Sequence, residues 1–387
     1  MPTFDPEAPL PGAPDPWAGS EMPALRDGQP YAMTEMIAAE PALAERLVRR
    51  LTDDPELGGL TVALEQAAAE GRPIITTGCG TSEHAAMIAA ALLTGALDGT
   101  TIWPTQALEV ARRPPRNGVL VAVSHEGGTW ATNEALEAAR AAGSTTALIT
   151  VSDRSPGAAL ADHLLTSDEQ DQSWCHTVGY LSPVIVAAAL AGELSDAPLD
   201  PVVVRALLDA ASDQASAAEE MAAELAECTR LLIVGSGIDY PAARELALKV
   251  EEGARLPASA LELETIRHGH LAAVDDRTGL VLILTDGEEW GETVIERSRA
   301  VLRSAAALGM PAAALLAADL GDNVPLTLTP ARRLSGPLAG GLSRMASAAL
   351  ATAIPLQLLA ERLARARGKN PDSIGRDDPR QAAAGDA

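Results

Sequence analysis

The chain has 387 residues, which is enough for two or three domains with separate hydrophobic cores. It carries 29 Lys and Arg against 53 Asp and Glu, a formal net charge of −24 at pH 7. A field of this sign argues against a general nucleic-acid or anionic-membrane binder, because both of those partners need a basic surface.

Cysteines and lysines are few, and their positions limit the chemistry. The three cysteines, Cys79, Cys175 and Cys228, show neither a paired framework nor metal-ligand spacing, and no apolar run of about 20 residues occurs. We therefore expect no disulfide, no membrane segment and a cytoplasmic location. The only lysines are Lys249 and Lys369, so a Schiff-base mechanism would need one of them or the N-terminal amine.

The first half of the chain predicts a leader followed by alternating strands and helices. Residues 1–30 contain repeated Pro, Gly and Asp without periodicity, and we expect this leader to be flexible or to lie along the surface. Residues 33 to about 69 have apolar side chains at helical spacing. A helix through 184–191 closes the first half. The strands predicted in the first half are 73–77, 119–123, 146–151 and 163–166.

The second half repeats this order after a Pro- and Asp-rich break at 196–201 and a helix over 202–227. Its last helix is expected from about Pro337 to Arg367. About 160 residues separate the turn Gly78-x-Gly80 from the turn Gly235-x-Gly237. Almost the same number separates the polar turns at Ser124 and Thr285. The predicted strands are 231–234, 280–284, 312–317 and 324–328.

These patterns predict an α/β protein made of two tandem units, each a parallel sheet covered by helices. We expect the first unit to span 31–195, the second 196–367, and a tail to occupy 368–387. In such sheets ligands bind beyond the carboxyl ends of the strands.

Hydroxyl groups and glycines stand where two helices of the first unit begin. Thr81 and Ser82 follow Gly80, and the second turn runs from Ser124 to Thr129. Helix N-termini with hydroxyls attract anions, and without an adjacent Lys or Arg they suit a sugar phosphate better than a nucleoside triphosphate. Ordinary N-capping by Ser and Thr is the alternative explanation.

A cluster of acids and bases lies in the second unit. Glu245, Lys249 and Glu252 are spaced i, i+4 and i+7, which places them on one face of a helix, and His268 follows. A carboxylate base and an imidazole acid can together move protons around a carbonyl group. An exposed helix of ion pairs and a structural histidine are the alternatives.

Six segments, taken in order, resemble the sugar isomerase (SIS) double-domain family, closest to the isomerase half of glucosamine-6-phosphate synthase. The resemblance covers about residues 33–375 and implies two flavodoxin-like domains, a hexose phosphate bound by the first domain, and a homodimer. The segments are 78–82, 124–129, 235–241, 245–252, 267–269 and 354–360.

The resemblance also implies roles for single residues. Glu252 matches the base that moves a proton between C1 and C2, and His268 matches the ring-opening histidine that reaches the partner subunit's site. Glu245 and Lys249 match charged residues that line the site. The turn that contains His176 matches a ligand-contacting turn after the fourth strand. Residues at or beside phosphate-contacting positions are Gly80, Thr81, Ser82, Ser124, His125, Glu126 and Thr129.

Three departures from the family limit what the resemblance implies. The glutamine-hydrolysing half is absent, so we expect no ammonia release from glutamine. Pro379 stands where the family's Schiff-base lysine is expected, and Lys369 lies earlier in the tail. Glu126 stands where the family has a phosphate-binding serine, and a carboxylate about 4 Å from a phosphate costs on the order of 4 kcal/mol per charge pair.

Glu126 therefore either turns away from the ligand or faces a group other than a phosphate, such as a hydroxyl, an ammonium or a protonated His125. The sequence favours an isomerase or deaminase that acts on a sugar phosphate or amino-sugar phosphate. A fructosamine-type deglycase and a sugar-phosphate sensor remain as alternatives. No motif indicates a cofactor, and the pair His268 and His270 lacks the third ligand of a metal site.

Overall fold

Two parallel β-sheets follow one another along the chain. The computed structural model describes residues 4–15, 17–19, 26, 28–286, 291–320, 333–336 and 339–385. The strands of the first sheet are β1 (Ile74–Thr77), β2 (Trp103–Pro104), β3 (Val119–Val123), β4 (Thr145–Thr150) and β5 (His163–Thr166). Their order is β2-β1-β3-β4-β5, and every neighbouring pair is parallel.

The second sheet repeats the first. Its strands are β6 (Arg230–Val234), β7 (Ala258–Leu261), β8 (Thr278–Leu284), β9 (Ala312–Ala317) and β10 (Arg333–Gly336). The strand order is β7-β6-β8-β9-β10, so the strands of this unit are arranged as those of the first sheet are. All neighbouring pairs are again parallel. The predicted α/β fold of two tandem units is confirmed. Below, the first unit contains β1–β5 and the second unit contains β6–β10.

Helices cover both sheets, and none of those that the structure describes has the length and apolar character needed to cross a lipid bilayer. The α-helices are α1 (Ala32–Leu51), α2 (Pro55–Ala69), α3 (Thr81–Ala96), α4 (Ala107–Arg112), α5 (Trp130–Ala141), α6 (Val178–Leu194), α7 (Pro201–Ser212), α8 (Ala215–Leu225), α9 (Asp239–Lys249), α10 (Gly291–Ala307), α11 (Arg344–Ala366) and α12 (Pro379–Gly385).

The sequence prediction differs from the structure at several boundaries. The helical region 33–69 is two helices, because Asp54 accepts a hydrogen bond from the Glu56 N–H and Pro55 starts α2. The predicted helix 202–227 is also two helices, α7 and α8. The edge strands β2 and β7 were not predicted. The predicted strand 324–328 and Pro337 lie outside the described residues.

One hydrophobic cluster joins the two units. Helix α11 is buried along most of its length and packs against α6 of the first unit and α9 of the second. Helix α9 also contacts α3, whose N-terminus follows β1. Because α3 and α9 carry the two predicted halves of the site, this packing brings the halves together.

The described part of the leader lies along the first unit. Leu10 is buried in a small apolar cluster with Met36, Leu43 and Val178. Its N–H donates to Glu169 Oε2 over 2.8 Å. Of the two expectations for the leader, these contacts fit a segment that lies along the surface.

Candidate active site

Glu245, Lys249 and Glu252 form one charged cluster at the end of α9. Lys249 Nζ lies 2.6 Å from Glu252 Oε2 and 3.6 Å from Glu245 Oε1. Glu245 and Lys249 are fully buried, whereas the Glu252 side chain is 25% exposed. An exposed helix of ion pairs is therefore excluded, and Glu252 is the member of the cluster that a ligand can reach.

The backbone after α9 changes geometry at this point. Residues Val250–Ala254 form a π-helical turn, and Arg255 ends it with a left-handed φ of 53°. The three side chains meet at the predicted spacing, with Glu252 at i+3 from Lys249, but Glu252 lies within a π turn that the sequence did not predict. Single π turns are rare and occur frequently at functional sites.

The N-terminus of α3 supplies partners for Glu245 from the other unit. His84 Nδ1 lies 2.7 Å from Glu245 Oε2, and Thr81 Oγ1 donates to Glu245 Oε1 over 3.2 Å. Burial acts to raise the pKa of Glu245, but Lys249 and His84 outweigh it, so the pKa lies below its ordinary value. Sequence reasoning gave His84 no role, although it lies directly after the Thr81 and Ser82 turn.

The surroundings of Lys249 favour its charged form. Burial acts to lower its pKa, but the attraction of Glu252 and Glu245 is stronger, and the pKa is raised above its ordinary value. A Schiff base needs a neutral amine, which Lys249 does not offer. Its position suits the stabilisation of negative charge on a ligand.

The loop before α6 is organised by Asp171, which sequence reasoning missed. Its buried carboxylate accepts hydrogen bonds from the Ser173, Thr177 and Gly179 N–H groups, over 2.8, 2.7 and 3.0 Å. The loop places Cys175 Sγ 3.7 Å from Glu252 Oε2, so its S–H donates to the same oxygen that Lys249 holds.

His125 and His176 lie together with their ring centroids 5.2 Å apart. The pKa of both imidazoles is lowered to about 4, mainly by burial. The neighbouring His176 also lowers the pKa of His125, and Lys249 does the same for His176. Both rings are therefore neutral at pH 7, and His125 Nε2 accepts a hydrogen bond from the Asp171 N–H over 3.1 Å. A protonated His125 as the partner of Glu126 does not fit this geometry.

The predicted anion cradle lies at the N-termini of α3 and α5. Their N-cap residues are Gly80 and Thr129, and in the described structure neither helix has a side-chain cap. The Ser124 hydroxyl instead donates to Thr129 Oγ1 over 3.4 Å. A Cβ on Gly78 would lie 2.6 Å from the Ser82 backbone, so the turn requires glycine there. The first backbone N–H groups of both helices are thus not taken by capping side chains and suit an anionic ligand.

Glu126 lies in a cleft between the leader and the first unit. Gln170 Nε2 donates to Glu126 Oε1 over 3.2 Å, and a Cβ on Gly19 would lie 3.3 Å from Glu126 Oε2. The cleft has a volume of about 470 Å³. It is lined by Pro11, Gly12, Pro14, Ala18, Gly19, Glu126, Gln170, Asp171, Gln172, Ser173, Trp174 and His176.

His268 stands apart from the charged cluster within one chain. Its side chain is 71% exposed, and its Nε2 lies 3.1 Å from Glu264 Oε1. Gly269 follows with a positive φ of 104°. Lys369 is also exposed, and Pro379 starts α12. The structure therefore joins Glu245, Lys249 and Glu252 but does not bring His268 to them.

Relatives of this chain include several glutamine–fructose-6-phosphate aminotransferases (isomerizing). The chain is 30% identical over 370 residues to a glutamine–fructose-6-phosphate aminotransferase (isomerizing) of Symbiobacterium thermophilum, which covers 90% of this chain and 58% of the relative. The chain spans about half the length of the curated relatives it matches.

Solved structures share the fold at low identity. The C-terminal domain of glucosamine-fructose-6-phosphate aminotransferase from Francisella tularensis has a TM-score of 0.77 at 20% identity, covering 90% of this chain and 99% of that one. Tagatose-6-phosphate ketose/aldose isomerase from Escherichia coli has a TM-score of 0.72 at 19% identity, covering 91% and 97%. Glucosamine-6-phosphate deaminase from Thermotoga maritima has a TM-score of 0.63 at 18% identity, covering 88% and 97%.

The family comparison agrees with the repeated fold. The SIS domain family matches residues 69–192 and 224–307, one segment in each unit. Together the two segments cover more than half of the chain. The chain belongs to the SIS domain family.

Proposed function

We propose that this protein moves a proton between C1 and C2 of a sugar phosphate or amino-sugar phosphate, as an isomerase or a deaminase. The observation that carries the proposal is the Lys249–Glu252 contact of 2.6 Å beside a partly exposed carboxylate. The described contacts of Glu252 with Lys249 and Cys175 both involve Oε2, which leaves Oε1 for the ligand. A fixed carboxylate with one oxygen directed to a substrate is suited to general-base catalysis.

The reaction follows from these positions. Glu252 takes the proton from the carbon next to the carbonyl group and returns it to the neighbouring carbon, through an enediol or an enolamine. Lys249 stabilises the negative charge that develops on the oxygen. With an amino sugar, protonation at C1 gives an imine at C2, and water hydrolyses this imine to the ketose and ammonia.

The remaining predicted residues are assigned to binding. The phosphate lies at the N-termini of α3 and α5, near Ser82, Ser124 and Thr129, because those helices lack side-chain caps. His268 opens the sugar ring in the partner subunit of a homodimer, since its own chain leaves it exposed. Lys249 is protonated, so the proposal contains no Schiff base.

The names of two structural neighbours support both branches of the proposal. One is a ketose/aldose isomerase and another is a deaminase that acts on glucosamine 6-phosphate. A fructosamine-type deglycase is the second candidate, favoured by the Glu126 carboxylate in the cleft beside the leader. In that reaction Glu126 would hold the ammonium of the leaving amine.

Three substrates separate these functions. Glucosamine 6-phosphate, fructose 6-phosphate and a fructosamine 6-phosphate are incubated with the wild type and with Glu252→Gln. Ammonia from the first identifies a deaminase, aldose from the second an isomerase, and free amine from the third a deglycase. Each activity should disappear in Glu252→Gln. Tight binding of all three without turnover would reject the enzyme and support a sensor.

A further inference from the structure

The cleft defined above has the dimensions of a ligand site and adjoins the charged cluster. Its volume of about 470 Å³ lies in the range of small-molecule pockets. The loop before α6 faces both regions, because Cys175 contacts Glu252 while the neighbouring Trp174 and His176 line the cleft. Two residues that line the cleft are thus the immediate neighbours in sequence of a residue that contacts Glu252.

The ionisable groups that line the cleft differ from those next to it, where the Arg376 guanidinium lies over the Trp174 ring, 4.1 Å from its centroid. Among the described residues that line the cleft, the ionisable groups are Glu126, Asp171 and His176, with no Lys or Arg. The Asp171 carboxylate is occupied by three backbone N–H groups, and His176 is neutral because burial and Lys249 lower its pKa to about 4. Glu126 is thus the group that gives the cleft its charge toward a ligand.

The polar side chains of the cleft also favour a ligand with hydrogen-bonding groups. Gln170 donates to one oxygen of Glu126, and a carboxylate can accept several hydrogen bonds at once. Trp174 Nε1 is buried and has no hydrogen-bond partner among the described residues. A buried N–H without a partner is costly and is explained by a ligand or ordered water.

We propose that the cleft is a subsite for a sugar substituent that ends in an ammonium group, with Glu126 as its counter-ion and the leader as its outer wall. The phosphate remains at the N-termini of α3 and α5, and Glu126 serves a second part of the same substrate. The inference rests on the proposed function in one respect, since it takes a sugar phosphate as the group bound between the two regions.

A matched pair of ligands tests the subsite by binding alone. N-glycyl-glucosamine 6-phosphate and N-acetyl-glucosamine 6-phosphate differ by one ammonium group at the end of the substituent. Their affinities are measured by calorimetry on Glu252→Gln, which prevents turnover, and on that variant with Glu126→Gln added. Glu134→Gln is the control, because it removes an exposed charge from α5 of the same unit.

We expect the glycyl compound to bind about fivefold more tightly, the scale of a partly exposed ion pair. The preference should vanish with Glu126→Gln and persist with Glu134→Gln. Equal affinities in the Glu252→Gln background, a preference that survives Glu126→Gln, or no binding of either compound would overturn the inference. A separate assay tests the proposed function: if that function is wrong, the wild type will not turn over fructose 6-phosphate or glucosamine 6-phosphate.

Discussion

At the scale of single residues, the buried ammonium of Lys249 holds a buried and a partly exposed carboxylate together. Its ammonium lies within 3.6 Å of Glu245 and Glu252, and its side chain is 1% exposed. Glu245 is fully buried beside this cation, and a buried charge without its partner is strongly destabilising.

Lys249→Met should therefore lower the free energy of unfolding by about 3–5 kcal/mol, since Glu245 is left buried without its cation. Urea denaturation at pH 7 measures the change. The chain offers a matched control in its other lysine: Lys369 is exposed, and Lys369→Met should stay within about 0.5 kcal/mol of the wild type. Similar losses in the two variants would show that the buried cluster does not depend on Lys249.

Glu40 provides a pH-dependent prediction. It is fully buried in α1, and burial raises its pKa well above the ordinary value. When a carboxyl group has a higher pKa in the folded protein than in the unfolded chain, the protein loses stability as the pH rises above the pKa of the unfolded chain, near 4.5. The melting temperature of Glu40→Gln relative to the wild type should therefore increase between about pH 5 and pH 8.

The control for this series is Glu65→Gln, which alters an exposed carboxylate on α2. Its difference from the wild type should stay constant across the same pH range. A Glu40→Gln difference that is equally constant would mean that Glu40 is ionised in the folded protein.

At the scale of elements, the leader and the loop before α6 form one layer. Gln170 N–H donates to the Pro11 carbonyl over 2.9 Å, and Gln170 also holds Glu126. Leu10 anchors the leader through its apolar cluster and its hydrogen bond to Glu169. Release of Leu10 should therefore loosen the wall of the cleft.

Leu10→Asp places a charge in that apolar cluster and should detach the leader. Hydrogen exchange followed by mass spectrometry should show faster exchange in residues 4–15 and 167–173, while the strands of both sheets keep their protection. Ala8→Asp, at an exposed position two residues earlier, is the control and should leave exchange unchanged. Unchanged exchange in Leu10→Asp would show that the leader is held by other contacts.

The elements differ in how far the sequence predicts them. Strands β3, β5 and β9 have the predicted bounds, and the apolar runs of β3 and β9 are fully buried in parallel sheets. Strands β2 and β7 were missed because they are short, and their side chains are exposed or half-buried. The helix spacing predicted that Lys249 and Glu252 meet, but it did not predict the π turn that holds Glu252.

Contacts between distant elements were beyond the sequence patterns. His84 and Glu245 are 161 residues apart, and only the packing of α3 against α9 joins them. Asp171 acts on backbone N–H groups in a loop without periodicity, so no spacing of side chains reveals it. Periodicity locates residues on one element, whereas the site depends on how elements of both units pack.

At the scale of the whole molecule, the charged cluster lies where the two units meet, and His268 lies exposed elsewhere. The proposed homodimer gives His268 a role by bringing it to the partner subunit's site. This arrangement has a consequence that a site formed within one chain would not have, because two different inactive chains could share one intact site.

Mixed Glu252→Gln and His268→Ala chains test this consequence. After joint refolding, random pairing gives hybrid dimers with one intact site each, so activity should recover to about a quarter of the wild type. Each variant refolded alone is the control and should remain inactive. No recovery in the mixture would place Glu252 and His268 in the same chain's site, or remove His268 from the reaction.

The most direct test of the central claim is deuterium incorporation at C1 of fructose 6-phosphate in D2O, followed by proton NMR. If Glu252 is the base, the wild type should exchange the C1 proton, and Glu252→Gln should do so at least about 100-fold more slowly. Solvent exchange does not require that the reaction be completed, so it reports the proton transfer itself. No exchange with the wild type, or an equal rate with Glu252→Gln, would contradict the account.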